Sequence, residues 1–373
     1  MAGIVNMIIN GAAQKVENPQ NLTLLKYLRE HLGLRGAKNG CSQGHCGTCI
    51  VIVDGKAKRA CLVQMSKLAG SRIETIEYLS SNSCLHPLQE AFVREGAIQC
   101  GFCTPGMIMA AKALLDANPD PSDDEIKHSL RFNLCRCTGY AAILRAVKLA
   151  AQLRLQENKG LLNVEKRRSL VNAGIGFSPV KKDALTKVTG VPLYADDFKL
   201  EGMVYGKLLL SEHPYARILK INVKNALKQP DVITILTAQD IPGRNGFGLL
   251  NPHQPVLAHD FVRYMGDPVA VIFAESEEAA IAALTHVEVE YEPLQGVFSP
   301  EQGMREGAPV IHPCGNIMHH VSVCKGAADQ AFAGVDVIIE GVYTTPMVEH
   351  AYLEPEAAVA KPEEDGSISI WTA

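Results

Sequence analysis

Residues 41–49 read CSQGHCGTC, with a fourth thiol following at Cys61 in RACLV, and this stretch decides the reading of the N-terminal region. The spacing is C-x4-C-x2-C-x11-C, with glycines at 40, 44 and 47. A loop wrapped around a metal group must turn sharply while its backbone N–H groups face inward, and glycine reaches the required angles without a Cβ clash. The plant-type [2Fe-2S] signature has the same C-x4-C-x2-C core and a distant fourth cysteine. Tetrahedral zinc is the alternative. Zinc sites usually draw on two CxxC or CxxH pairs, whereas here only Cys46 and Cys49 form one.

The flanks of this loop predict a small sheet. Residues 4 to 16 alternate around Asn10-Gly11, a pair that accepts the positive φ angles of a tight hairpin turn. Leu22, Leu25, Leu28 and Leu32 recur at helical spacing, with Asn21 or Thr23 as the cap and Gly33 at the exit. CIVIVDGKAKRACLV then predicts a second hairpin turning at Asp54-Gly55, and RIETIEYL adds a short strand. Residues 1–78 are expected to form one α+β domain.

A second thiol group pairs QCGFCTPG with NLCRCTGY, 31 residues apart, and assigns Cys100, Cys103, Cys135 and Cys137 to one site. Each motif runs into a threonine and a glycine where a helix is expected to start. Helix N-termini favour a site with net negative charge, as four thiolates around two ferric ions would have. Four-cysteine zinc stays open here on spacing alone. The surrounding segments HPLQEAFVREG, TPGMIMAAKALLDANP and AAILRAVKLAAQLRL carry helical periodicity, and Ser122 with Glu125 makes a capping box. Residues 79–155 therefore read as an all-helical domain. Cys84, Cys314 and Cys324 are left over; a lone cysteine is usually a small buried apolar residue.

Residues 156–182 mix charged and small residues without a period and read as a linker. Between Tyr205 and Tyr291 the apolar runs GKLLL, VITIL and PVAVIFA alternate with turns and one helix, ESEEAAIAAL, so residues 183–300 are expected to form an α+β domain. Residues 301–373 hold VDVIIEGVYTT and SISIW as strand candidates. The chain stops directly after a strand-like run, which suggests that it is cut inside a domain.

The composition sets broader limits. Hydrophobic residues make up 47% and charged residues 20% of the 373, an ordinary globular balance. A net charge of -4 gives no electrostatic case for nucleic acid or for an anionic membrane as partner. No leader or membrane span is legible, so a cytoplasmic protein is expected, and in a reducing compartment clustered cysteines are more often metal ligands than disulfides.

Taken together, CSQGHCGTC with Cys61, QCGFCTPG and NLCRCTGY resemble the paired iron–sulfur domains of the molybdenum hydroxylases, the xanthine dehydrogenase and aldehyde oxidase family. KVTGVPLYADD and the following segment are similar to that family's hammerhead domain, and EHAYLEPE (349–356) to the opening of its molybdenum-binding region. The resemblance implies an α+β multidomain chain: a β-grasp [2Fe-2S] ferredoxin domain, a four-helix [2Fe-2S] domain, an α/β hammerhead domain, and an incomplete molybdopterin-binding domain from 301. It implies that Gln99 and Cys137 also touch the molybdopterin, which makes Cys137 both an iron ligand and a link in the electron path. Hydroxylation of an activated carbon, in a purine-like heterocycle or an aldehyde, is the implied reaction. Water supplies the oxygen, and two electrons leave one at a time through the clusters. Purines are favoured because certain bacterial xanthine dehydrogenases share this linked layout without a flavin domain.

Residues 156–182 leave no room for an FAD domain, and Gly174 and Gly176, followed by Pro179, are only a fragment of a glycine-rich loop. Electrons are therefore expected to exit to a separate flavin subunit or a soluble carrier. The remaining molybdenum region would come from the same gene or a partner, in an assembly expected to be homo-oligomeric. The family's late glutamate base has no counterpart here, so this chain alone is not expected to turn over substrate. Glu349 and Glu354 beside His350 are weak catalytic candidates, a structural hydrogen-bond network being the bland alternative. His86, His253, His319 and His320 read as surface or loop residues, and Met107 and Met109 as helix core. The competing functions are a zinc-stapled interaction module and a non-catalytic electron-transfer subunit.

Overall fold

The computed structural model describes residues 3–17, 19–80, 84–157, 179–249 and 251–373. Within them the chain forms two compact units, Met1–Phe198 with Thr345–Ala373, and Lys199–Thr344.

The first unit opens with β1 (Ile4–Ile9) and β2 (Ala12–Glu17), an antiparallel hairpin in which Asn10 and Gly11 both take positive φ, as the turn requires. A short helix α1 (Leu24–Lys26), capped by the Thr23 side chain, widens into a π-helical turn over Tyr27–His31. The second hairpin pairs β3 (Ile50–Val53) with β4 (Lys56–Arg59), and β5 (Arg72–Glu74) lies parallel to β1 and antiparallel to β3. The five-stranded order is β2-β1-β5-β3-β4.

All four residues of β3 are buried, because the strand is covered on both faces. Val51 and Val53 join Val5, Met7, Leu24, Leu28 and Ile73 in the core under the sheet. Ile50 and Ile52 point the other way, into a core shared with the helices, among Met107, Ile108, Ala111 and Ile126. Each of these large side chains contributes roughly 1.5–3 kcal/mol on burial, so the sheet and the helices are one packed body.

The helices are α2 (Pro87–Arg94), α3 (Thr104–Ala117), α4 (Asp123–Ser129) and α5 (Ala141–Glu157). The Ser122–Glu125 capping box forms as expected, and Met107 and Met109 are buried. His86 is more than a surface residue. It caps α2, its Nδ1 accepting from Leu88 N at 3.2 Å while Gln89 Oε1 accepts from His86 N at 2.9 Å. The residues after the helices fall partly outside the described set, including Gly174 and Gly176. Beyond them α6 (Ala184–Thr189) packs its Ala184 and Val188 into the helical core.

The second unit holds two three-stranded antiparallel sheets. β6 (Tyr205–Leu210), β10 (Pro268–Ala274) and β8 (Val232–Thr237) form one, in the order β6-β10-β8. β7 (Ala216–Asn222), β9 (Phe261–Val262) and β11 (Glu288–Pro293) form the other, in the order β11-β7-β9. Helix α7 (Glu277–Leu284) buries Ala280 and Ala283. SISIW supplies β13 (Ile368–Thr372), paired with β12 (Ala358–Pro362) in the first unit.

Two expectations fail here. VDVIIEGVYTT carries no strand, and Ile339 is 89% and Val342 92% exposed. Strand propensity is realised only where a neighbouring edge accepts the ladder. Cys84, Cys314 and Cys324 are exposed rather than buried.

Candidate metal centres

The first site grows from a loop whose backbone turns inward. Ser42, Gly44 and Gly47 have φ of 51°, 77° and 72°, and this sequence of left-handed residues aims three N–H groups at one sulfur. Cys41 Sγ accepts from His45 N at 3.3 Å, Cys46 N at 3.4 Å and Gln43 N at 3.5 Å. Burial works to raise the Cys41 thiol, and these donors overcome it and bring it to about 7. Cys49 is more deeply buried, which pushes its thiol up to about 12. Thr48 Oγ1 lies 3.2 Å from Cys46 Sγ. Cys61 arrives from the 3-10 turn after β4, buried beside Cys49, and the N–H of Ala60 holds that turn to Cys49 O at 3.2 Å.

The second site is assembled from two chain segments. Cys103 is the N-cap of α3, and Cys135 and Cys137 precede α5, where Gly139 and Tyr140 take positive φ to swing the chain into the helix. Cys137 Sγ stands 3.7 Å from Cys100 Sγ. Hydrogen bonding from the Cys103 thiol, with help from the Thr138 hydroxyl 3.1 Å away, lowers Cys135 to about 5. The same bond, with burial, pushes Cys103 well up. Burial raises Cys100 to about 11. The Tyr140 hydroxyl accepts from Cys135 N at 2.9 Å.

The two sites are neighbours. Leu134 N donates to Cys46 O at 2.9 Å, and Asn133 Nδ2 donates to Gly47 O at 3.2 Å. Glycine is required on both sides of this seam: a Cβ on Gly47 would stand 2.1 Å from Phe132 O, and one on Gly106 would stand 2.3 Å from Gly47 O.

These donor sets suit a [2Fe-2S] rhomb, which needs four thiolates and profits from N–H groups directed at sulfur. Tetrahedral zinc needs four donors about 2.3 Å from one centre; a two-iron cluster spreads them over two.

The other sequence candidates scatter. Gln99 is exposed, its carbonyl accepting from Lys181 Nζ at 2.6 Å and Lys187 Nζ at 3.0 Å. Arg136, between the two cysteines, grips the carbonyls of His350 at 2.8 Å and Glu349 at 2.5 Å. Glu349 is exposed and accepts from His350 N at 2.8 Å, whereas Glu354 is half-buried and its carboxyl is raised by that burial. Both border a groove of about 810 Å³ lined by Gly40, residues 351–358 and Thr372. Sequence reasoning missed Arg136, Thr48, Thr138 and Tyr140. The first three sit within two residues of a thiol and could have been found there.

The chain matches four family models. A 2Fe-2S iron-sulfur cluster binding domain covers residues 7–89, a [2Fe-2S] binding domain 75–148, the a/b hammerhead domain of aldehyde oxidase and xanthine dehydrogenase 189–295, and a molybdopterin cofactor-binding domain 311–373. The aldehyde oxidoreductase of Megalodesulfovibrio gigas is 35% identical over 97% of this chain and 42% of its own length. The nicotinate dehydrogenase small FeS subunit of Eubacterium barkeri is 45% identical over 40% of this chain and 94% of its own. The solved aldehyde oxidoreductase from Desulfovibrio gigas superposes with a TM-score of 0.84 at 33% identity, covering 99% of this chain and 43% of that one. The chain thus spans less than half of these aldehyde oxidoreductases.

Proposed function

We propose that this chain, which belongs to the molybdenum hydroxylase family of xanthine dehydrogenases and aldehyde oxidoreductases, is the electron-carrying part of a hydroxylase and passes electrons to an external acceptor. Its iron ligands would be Cys41, Cys46, Cys49 and Cys61 in residues 1–78, and Cys100, Cys103, Cys135 and Cys137 in residues 79–155. When bound, the molybdopterin centre supplies two-electron oxidative hydroxylation and the clusters one-electron storage.

The observation that carries this reading is the 2.9 Å hydrogen bond from Leu134 N to Cys46 O. It leaves one peptide link and one hydrogen bond between a ligand of one site and a ligand of the other. The chain's own residues hold each thiolate in place, with backbone N–H groups stabilising negative charge at Cys41 and the Thr138 hydroxyl doing so at Cys135. Gln99 and Cys137 would be the residues that touch the molybdopterin, as the family resemblance implies. Glu354, half-buried, suits proton holding at the groove better than exposed Glu349.

The favoured substrate is a ring carbon of a purine-type N-heterocycle. A probable xanthine dehydrogenase subunit among the relatives supports purines, and a nicotinate dehydrogenase subunit supports N-heterocycles more broadly. Aldehyde oxidation is the second reading, favoured by the aldehyde oxidoreductase that matches 97% of this chain. A small FeS subunit and another small subunit among the relatives support a multi-subunit assembly, with a separate flavin subunit or soluble acceptor as the electron exit. Among the described residues no helix is long and apolar enough to cross a membrane, and free thiols keep best in a reducing cytoplasm. A substrate panel on the complete enzyme tests the choice. Hypoxanthine should bleach the iron–sulfur absorbance faster than benzaldehyde does; the reverse order assigns it to aldehydes.

A further inference from the structure

Residues 187–197 lie across both thiol sites, and they are held there by buried charge. A Cβ on Gly190 would stand 3.0 Å from Gly36 Cα, so this segment rests directly on the loop leading to Cys41. Lys38, 1% exposed, reaches Asp197 Oδ2 at 3.3 Å and donates to Pro192 O at 3.1 Å. Arg29 pairs with the other oxygen of Asp197, and Tyr194 N donates to Oδ2 at 3.0 Å. Burial works to raise the Asp197 carboxyl, but Lys38, the Tyr194 N–H and Arg29 overcome it and hold the group below its ordinary value.

This cluster touches each site through one intermediate. Toward the first, Lys38 O accepts from Thr48 Oγ1 at 3.1 Å, and that oxygen lies 3.2 Å from Cys46 Sγ. Toward the second, the Lys38 ammonium sits 4.6 Å from the Tyr194 ring centroid, and the Tyr194 hydroxyl donates to Cys100 O at 3.0 Å. A Cβ on Gly101 would stand 3.0 Å from that hydroxyl, so the contact is tight.

We infer that Lys38 and Asp197 are positioning residues that set the reduction potentials of both clusters together, with Tyr194 linking them to the second. The inference rests on the proposal that the eight thiols hold iron. Lys38 and Asp197 are buried and Arg29 half-buried, with Glu77 acting on Lys38 and Glu354 on both, so a charge removed at Lys38 or Asp197 is felt by groups that gain an electron on reduction. Desolvating those ions costs several kcal/mol each, and an apolar plug of the same shape would staple the segments at least as well. Structure alone gives no reason for charge here, whereas a low-dielectric cation that favours the reduced state does.

The test is a redox titration of the full chain, reconstituted anaerobically with iron and sulfide and followed by low-temperature EPR. Lys38→Met removes one positive charge and should move both signals to lower potential. Asp197→Asn removes one negative charge and should move both to higher potential, while Lys38→Arg stays near the native values. Tyr194→Phe should shift only the second signal. Opposite shifts for Lys38→Met and Asp197→Asn support the inference; shifts of the same sign, or none, overturn it. If Lys38→Met does not fold, Asp197→Asn decides alone: a rise in both potentials supports the inference, and a fall or no shift overturns it. Failure of the native chain to take up iron appears before any variant is made, and refutes the cluster reading instead.

Discussion

The two thiol sites reach similar ends by different means. In the first, three cysteines fall within nine residues, and backbone N–H groups from the same loop converge on Cys41. In the second, two segments 31 residues apart meet, and side chains join the backbone N–H groups of Phe102, Cys137 and Thr138: the Cys103 thiol and Thr138 hydroxyl act on Cys135, and the Tyr140 hydroxyl on Cys135 N. A site made of backbone is encoded locally and tolerates changes in its non-glycine neighbours. A site joined from two segments with side chains across it depends on the packing of whole helices.

Removing a ligand from each site tests that contrast most strongly. Cys49→Ser should abolish one EPR signal and Cys103→Ser the other, each leaving its partner in place. Loss of both signals in either variant would mean that the sites form as one unit. Gly47→Ala comes next, because it combines positive φ with a Cβ 2.1 Å from Phe132 O and should break the seam between the sites. Gly55→Ala is its control, with the same sign of φ and nothing within 4 Å. The control should lose about 1–2 kcal/mol in urea unfolding and Gly47→Ala several times that; equal losses would place the cost in the turn alone.

Acid should act on the helical side. Burial, with Lys112 and Arg154 nearby, lowers His86 from 6.5 to about 4. Between these values the unfolded chain binds a proton that the folded chain refuses. The stabilisation is therefore fully present above pH 6.5 and is lost as pH falls toward 4, to a total of about 3 kcal/mol at most. Protonation also removes the Nδ1 acceptor that caps α2. Thermal melts of the native chain from pH 7.5 to 4.5, against His86→Asn, should diverge in this direction; parallel curves would acquit His86. The smallest effect is that of Thr138→Val, which removes one hydrogen bond to Cys135 and should lower the second cluster's potential without moving the first.

The contrast also explains what the sequence made legible. Asn10-Gly11, Asp54-Gly55 and the Ser122–Glu125 box are local, and each folds as its pattern predicts. The eight ligand candidates could be grouped because spacing alone separates CSQGHCGTC from the two later motifs. The Lys38–Asp197 pair spans 159 residues and leaves no periodic trace. His86 resembles any loop histidine until the N–H of Leu88 is seen on it. VDVIIEGVYTT has the composition of a strand, but a strand is a pairing, and composition does not reveal whether an edge is there to receive it.

The most direct measurement is metal analysis joined to EPR on the anaerobically reconstituted, dithionite-reduced chain. Two [2Fe-2S] clusters predict about four irons and four sulfides per chain, with two distinguishable spectra. A colourless protein that binds zinc in their place and gives no signal would contradict the assignment of all eight cysteines.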